Sequence, residues 1–230
     1  MENFDYVKNN YTSLCEEIST LAHRLGVKVP TLVSVTKSGS DEELLALAGA
    51  GAVDIGENRP GEVSRRGEIL RSAGFMPRMH EIGTLQRNKI KLIASTVYMI
   101  HSIDSKKLAE DVNRHAEAHG RIIPVLIEVN SAKEEQKSGV MPDEAERLLC
   151  DIAELKNIKI SGLMTMGPNL DDPEELRPYF RTTKKLFDEL LSKYGFGDAP
   201  TLSMGMSDSY RVAIEEGSTL VRVGRKLFKK

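Results

Sequence analysis

Cysteine is scarce in this chain. Its 230 residues include only Cys15 and Cys150, too few for a disulfide framework and without the spacing of a metal site. Both fall in helical patterns and read as small apolar residues of a reduced protein. Neither sign of charge dominates: 32 lysines and arginines face 34 aspartates and glutamates, a formal charge of −2. That balance leaves no electrostatic footprint for nucleic acid, and the basic end GRKLFKK reads as a solvated C-terminus. No apolar run approaches the ~18 residues of a membrane span. The N-terminal MENFDYVKNN lacks the charge-then-apolar order of a signal peptide. Nor does any linker, repeat or low-complexity stretch divide the chain. The expectation is one cytoplasmic domain over residues 1–230.

What the sequence does have is alternation. After an amphipathic helix at about 4–24, apolar strands are expected at 32–36, 52–56, 79–83, 97–103, 122–130, 158–166, 201–205 and 219–224. Helical stretches fall between them, at about 40–49, 60–73, 86–94, 105–119, 142–155, 173–194 and 208–216. Ser40 with Glu43 makes a capping box, and Ser105 is a good N-cap. Pro142 and Pro173 suit first helical turns, the latter behind Asp172, while Pro178 should break or kink its helix near the start. Eight strands, each of the first seven followed by a helix, require parallel pairing through right-handed crossovers. The fold class is therefore α/β, a (β/α)8 TIM barrel preceded by an N-terminal helix. The alternative, an open doubly wound sheet, lacks a Gly-rich dinucleotide fingerprint after its first strand.

In such a barrel, chemistry sits at the C-terminal strand ends. The first strand runs into Lys37, a residue costly to bury. Glu57 and Asn58 follow the second strand, His80 lies within the third, and His101 ends the fourth. SMGMSDS (203–209) places small residues between the seventh strand and a helix expected from Ser207, and Gly224 ends the eighth strand alongside. Loops seven and eight are the usual phosphate cradle of barrels, although Ser207 also reads simply as an N-cap. A lysine across the mouth from a phosphate site can form a Schiff base with pyridoxal 5′-phosphate (PLP). Strand alternation puts Arg222 with Leu220 on one face, and the barrel interior is the cheaper face for that cation.

VSVTK (33–37), DIGEN (54–58), HEIGTLQRNK (80–89), HSIDS (101–105), EVN (128–130), KSG (137–139) and GLMTM (162–166) appear in order. DDPEELRPYF (171–180), LSMGMSDSY (202–210) and EEGSTLVRVG (215–224) complete the series. Together they resemble the YggS/PROSC family of PLP homeostasis proteins, related in fold to the N-terminal barrel of alanine racemase. The resemblance implies that Lys37 carries PLP as an internal aldimine. It implies that Ser207 and the Gly224–Arg225 backbone hold the phosphate, that Met206 and Asn58 line the ring, and that Arg222 meets the pyridine nitrogen. His80 is either a packed, hydrogen-bonded histidine or a chemical one. The chain departs from the family pattern at Met79, Glu81 and Thr84. It also has Arg225 where a serine or threonine is usual, and that guanidinium either reaches the phosphate or faces solvent.

A racemase needs two bases, and in alanine racemase the second is a tyrosine beyond the barrel domain. Of the tyrosines here, only Tyr210 is expected near the mouth, in a core or rim role. Arg222, a permanent cation, disfavours protonation of the ring nitrogen and so weakens the electron sink. The function expected is a carrier in PLP (vitamin B6) homeostasis without strong catalysis of its own. The alternative is a weak PLP-dependent racemase or other enzyme of small amino acids. The partners expected are PLP and recipient PLP-dependent apoenzymes, with no nucleic acid, membrane or metal, and a monomer is expected.

Overall fold

Eight parallel strands close into a barrel in the order β1 to β8, with β8 returning to β1. The structure, a computed structural model, describes residues 4–134 and 136–230. The strands are β1 (Thr31–Val35), β2 (Asp54–Glu57), β3 (Arg78–Glu81), β4 (Met99–Ile103), β5 (Ile123–Val129), β6 (Ile158–Thr165), β7 (Thr201–Ser203) and β8 (Leu220–Val223). Each overlaps the segment expected from the sequence. Outside the barrel pack α1 (Asp5–Leu25), α2 (Asp41–Gly49), α3 (Pro60–Ser72), α4 (Lys106–Ala118), α5 (Ala145–Ile152), α6 (Arg177–Tyr194) and α7 (Tyr210–Glu215). No helix among the described residues is long and apolar enough to cross a membrane.

The local signals act as expected. Ser40 accepts the Glu43 N–H at 3.2 Å while Glu43 accepts the Ser40 N–H, a complete capping box. Ser105 accepts from Leu108, and Asp172 from Glu174 at 2.9 Å. Pro178 sits in the first turn of α6, where its missing N–H costs nothing, and a 3-10 turn, Pro173–Leu176, precedes it. A second such turn, Pro142–Glu144, leads into α5. The segment expected as a helix over 86–94 is instead a 3-10 helix, Arg87–Leu92. The three-residue step between buried Ile90 and Ile93 suits that tighter winding.

The main core lies between strands and helices. Val7, Leu14, Ile18 and Leu21 give α1 one apolar face, which packs on α2 and α7. The lumen is different. Its apolar part is a small cluster of Met99, Leu126 and Met164, and polar side chains occupy much of the remainder.

Candidate functional site

Lys37 lies two residues past the end of β1, in a turn, and its side chain is exposed. The turn is held from several sides. Thr36 donates its N–H to Gly56 O at 3.1 Å and its hydroxyl to Glu57. Gly39 closes the turn on Thr36 O at 2.9 Å, and its own carbonyl accepts from Arg66 Nη2 at 2.7 Å. Arg66 in turn lies 3.3 Å from Glu57 Oε1, and both side chains are buried. Burial pushes the Glu57 carboxyl up, against the opposing pull of Thr36 and Arg66. Three buried groups, one just past β1, one on β2 and one on α3, thus fix the turn that carries the exposed amine.

A cavity of about 410 Å³ beside this turn is lined by Lys37, Glu57, Asn58, Arg59, Glu62 and Arg66. A second, of about 500 Å³, shares Asn58, Arg59 and Glu62 and extends to Thr84, Gln86 and Lys89. The loop after β3 comes tightly against Asn58: a Cβ on Gly83 would stand 2.3 Å from the Asn58 carbonyl oxygen.

Across the mouth, the loop after β7 turns at Gly205, whose φ of +91° suits glycine. A Cβ there would stand 2.5 Å from that of Ala213. The helix expected to start at Ser207 starts only at Tyr210, so Ser207 is not its N-cap. The reason is Ser209, whose hydroxyl accepts the Met206 N–H at 3.1 Å and holds the intervening residues in a turn. Ser207 is buried, and its Oγ accepts the Gly224 N–H at 3.2 Å. Gly224 is close to β1 as well, since its Cβ would stand 2.9 Å from Val35 O. The geometry therefore brings Ser207 and Gly224 to the strand end from which the Lys37 turn departs. Met206 is exposed at this rim. The Arg225 guanidinium, 76% exposed, pairs with Asp208.

Arg222 is inside the lumen, 3% exposed. It donates to Ser203 Oγ and, at 3.0 Å, to Thr165 O. Burial lowers its pKa to about 10, with Glu128 opposing, so it is cationic at neutral pH. Glu128 is a lumen residue that sequence reasoning passed over; burial, with Asp104 next, raises its pKa to about 7. Its signal was available, an acid at the apolar phase of a buried strand. His80 is packed and hydrogen-bonded, to His101 at 2.9 Å and Asp54 at 3.0 Å. Tyr210 is buried and donates to Glu17 of α1; of the core and rim roles expected of it, it takes the core one.

The chain matches the model of the alanine racemase N-terminal domain over residues 10–230. A pyridoxal phosphate homeostasis protein of Aquifex aeolicus is 39% identical over 223 residues, covering 93% of this chain and 96% of that protein. This chain belongs to the pyridoxal phosphate homeostasis protein family. Among solved structures, a protein of unknown function from Bifidobacterium adolescentis superposes with a TM-score of 0.90 at 34% identity, covering 99% and 97% of the two chains. Another family likeness is PipY of Synechococcus elongatus, solved with PLP bound, at a TM-score of 0.84 and 27% identity over 97% and 100% of the chains.

Proposed function

We propose that this chain holds PLP as a Schiff base on Lys37 and acts in PLP homeostasis as a carrier without strong catalysis of its own. One observation carries the reading. An exposed lysine stands on a turn locked by Thr36, Glu57 and Arg66, next to the strand end that Gly224 and Ser207 approach. PLP, when bound, supplies an aldehyde that condenses reversibly with amines. Around it, Ser207 Oγ keeps its hydrogen free to donate to a phosphate oxygen, because its contact with Gly224 uses it as an acceptor. The Arg225 N–H, with the Gly224 N–H shared between Ser207 Oγ and the phosphate, would complete that cradle. Asn58 and Met206 would flank the ring, and Arg222 would meet the pyridine nitrogen.

The carrier reading draws support from where the tyrosines are. Tyr6 donates to Glu43, Tyr11 to Gly51 O, Tyr194 to Glu146 and Tyr210 to Glu17. Tyr98 lies against His80, its ring tilted, at the N-terminal end of the barrel, and Tyr179 packs partly buried against the core. A tyrosine base at the mouth would have to leave one of these contacts.

The test is borohydride reduction of the PLP-treated protein followed by peptide mapping. The label is expected on Lys37, and Lys37→Ala should abolish the visible band while the fold persists. A label chiefly on Lys89 or Lys137 would overturn the assignment. Transfer is then measured by mixing the loaded protein with a PLP-dependent apoenzyme. Turnover of small amino acids at an enzyme's ordinary rate would favour the racemase alternative.

A further inference from the structure

Six side chains cross the barrel lumen in one hydrogen-bonded line. Arg222 Nη1 on β8 donates to Ser203 Oγ on β7. Ser203 Oγ lies 3.0 Å from His101 Nδ1 on β4, and His101 Nε2 lies 2.9 Å from His80 Nδ1 on β3. His80 Nε2 lies 3.0 Å from Asp54 Oδ1 on β2, and Asp54 Oδ2 takes a 2.5 Å bond from Arg78 Nη2. Arg222, Ser203, His101 and His80 are each at most 3% exposed. Arg78 is half exposed and opens with Asp54 and His80 onto a cavity of about 280 Å³ at the N-terminal end of the barrel.

The proton positions between Arg222 and Asp54 follow from those two groups. A guanidinium can only donate, and a carboxylate paired with an arginine can only accept. Between them stand a hydroxyl and two imidazoles. Burial works against imidazolium in both rings, and the Arg222 cation adds to it at His101. With one proton each, a single arrangement satisfies every contact. His80 donates from Nε2 to Asp54, which leaves its Nδ1 bare to accept from His101 Nε2–H. His101 Nδ1 is then bare and accepts the Ser203 hydroxyl hydrogen, and Ser203 Oγ accepts from Arg222. From Arg222 to Asp54 every bond points the same way, from the mouth end towards the bottom, and Arg78 donates back into Asp54 from the far side.

We propose that this line is a positioning chain of fixed polarity. It holds the Arg222 guanidinium in one donor orientation and couples it to the solvent-facing Asp54–Arg78 pair at the opposite end of the barrel. The chain rests on the proposed site insofar as Arg222 faces the cofactor ring. Its polarity and its coupling are properties of the protein alone. Hydrogen bonds aligned head to tail in a low-dielectric lumen polarise one another, so a change at Asp54 is felt at Arg222 without any movement of the backbone. The lumen polarity also has a structural reason: a dry lumen would leave Arg222 as an unpaired buried cation.

The chain is tested first without cofactor, by long-range 1H–15N NMR of protein labelled at histidine and arginine. His80 and His101 are both expected as neutral Nε2–H tautomers at neutral pH. An imidazolium, or an Nδ1–H tautomer at either ring, would overturn the chain. Asp54→Asn, which keeps shape but allows the terminal group to donate, should mix the tautomers and move the Arg222 Nε–H resonance. Ser203→Ala, which removes one oxygen, is the second variant should Asp54→Asn fail to fold. It should move the Arg222 resonance while leaving the His80–Asp54 contact intact.

With PLP added, Asp54→Asn is expected to shift the absorption maximum of the bound cofactor and to weaken its affinity by about twofold to thirtyfold. Asp54→Glu should restore part of both. A wild-type protein that gives no PLP band would count against the Lys37 site. A wild-type band that Asp54→Asn leaves unchanged, together with an unmoved Arg222 resonance, would overturn the coupling.

Discussion

Ser207 and Gly224 are joined side chain to backbone, the serine hydroxyl accepting the glycine N–H at 3.2 Å. That contact ties the loop after β7 to the end of β8 and leaves one hydrogen to give. Ser207→Ala is therefore expected to weaken PLP binding by roughly 1–3 kcal/mol, the worth of a charge-assisted hydrogen bond. Pyridoxal, which has no phosphate, should lose much less. Titrations of both ligands by absorbance decide it. Equal losses would mean that Ser207 serves only to brace the two loops.

Arg225 is turned outward onto Asp208, so the proposed phosphate cradle is expected to form without its guanidinium. Arg225→Thr should leave PLP affinity unchanged or raise it slightly by adding a hydroxyl ligand. A clear loss, with pyridoxal binding intact and a flatter salt dependence, would show that the arginine swings inward when phosphate arrives.

Glu81 is buried beside Glu57, its register partner in β2. One of its oxygens accepts the Gly83 N–H at 3.1 Å, and the other has no partner among the described residues. Burial pushes its carboxyl up to about 8. The folded protein then keeps a proton that the unfolded chain releases in the ordinary glutamate range. Stability from this group is complete below that range and is lost as pH rises through about 8. Thermal melts between about pH 5 and 9 should therefore show a fall in Tm. Glu81→Gln should flatten it, with a gain of roughly 2–6 °C at the alkaline end. An identical pH profile in the variant would mean that another group titrates.

Gly205 has φ +91° and no room for a methyl group. Gly205→Ala should cost about 2–4 kcal/mol in urea denaturation. It should also weaken PLP binding, because Ser207 is two residues away on the same loop. A loss below about 1 kcal/mol would show that the loop relaxes around the new side chain.

Most strands were legible as short apolar runs, several of them rich in β-branched residues and stopped by glycine or a polar residue, although β3, Arg78–Glu81, is mostly polar. The eight runs found their places within a few residues, and the barrel followed from their count. Lys37 and Gly224 could be singled out from their positions just past strand ends. That Ser207 would lie alongside Gly224 was expected too, but not the hydrogen bond that joins them across seventeen positions of chain, because the sequence equally offers Ser207 as an N-cap. Asp54, His80, His101 and Ser203 were visible only as polar residues within buried strands. What joins them is the closure of the barrel, which sets β4 against β7 across the lumen, and no local pattern encodes that.

That closure also sets an order in time. β1 makes four register pairs with β8, Thr31 to Leu220 through Ser34 to Val223, and two with its neighbour β2. Its larger seam is thus with the strand farthest away along the chain, and such long-range pairing is slow to form. Until β8 docks, the Lys37 turn can exist but Gly224 and Ser207 cannot stand beside it. During refolding, the cofactor would bind only after the last seam closes, so the growth of its visible band would report barrel closure, whereas far-ultraviolet signals would report the earlier helices.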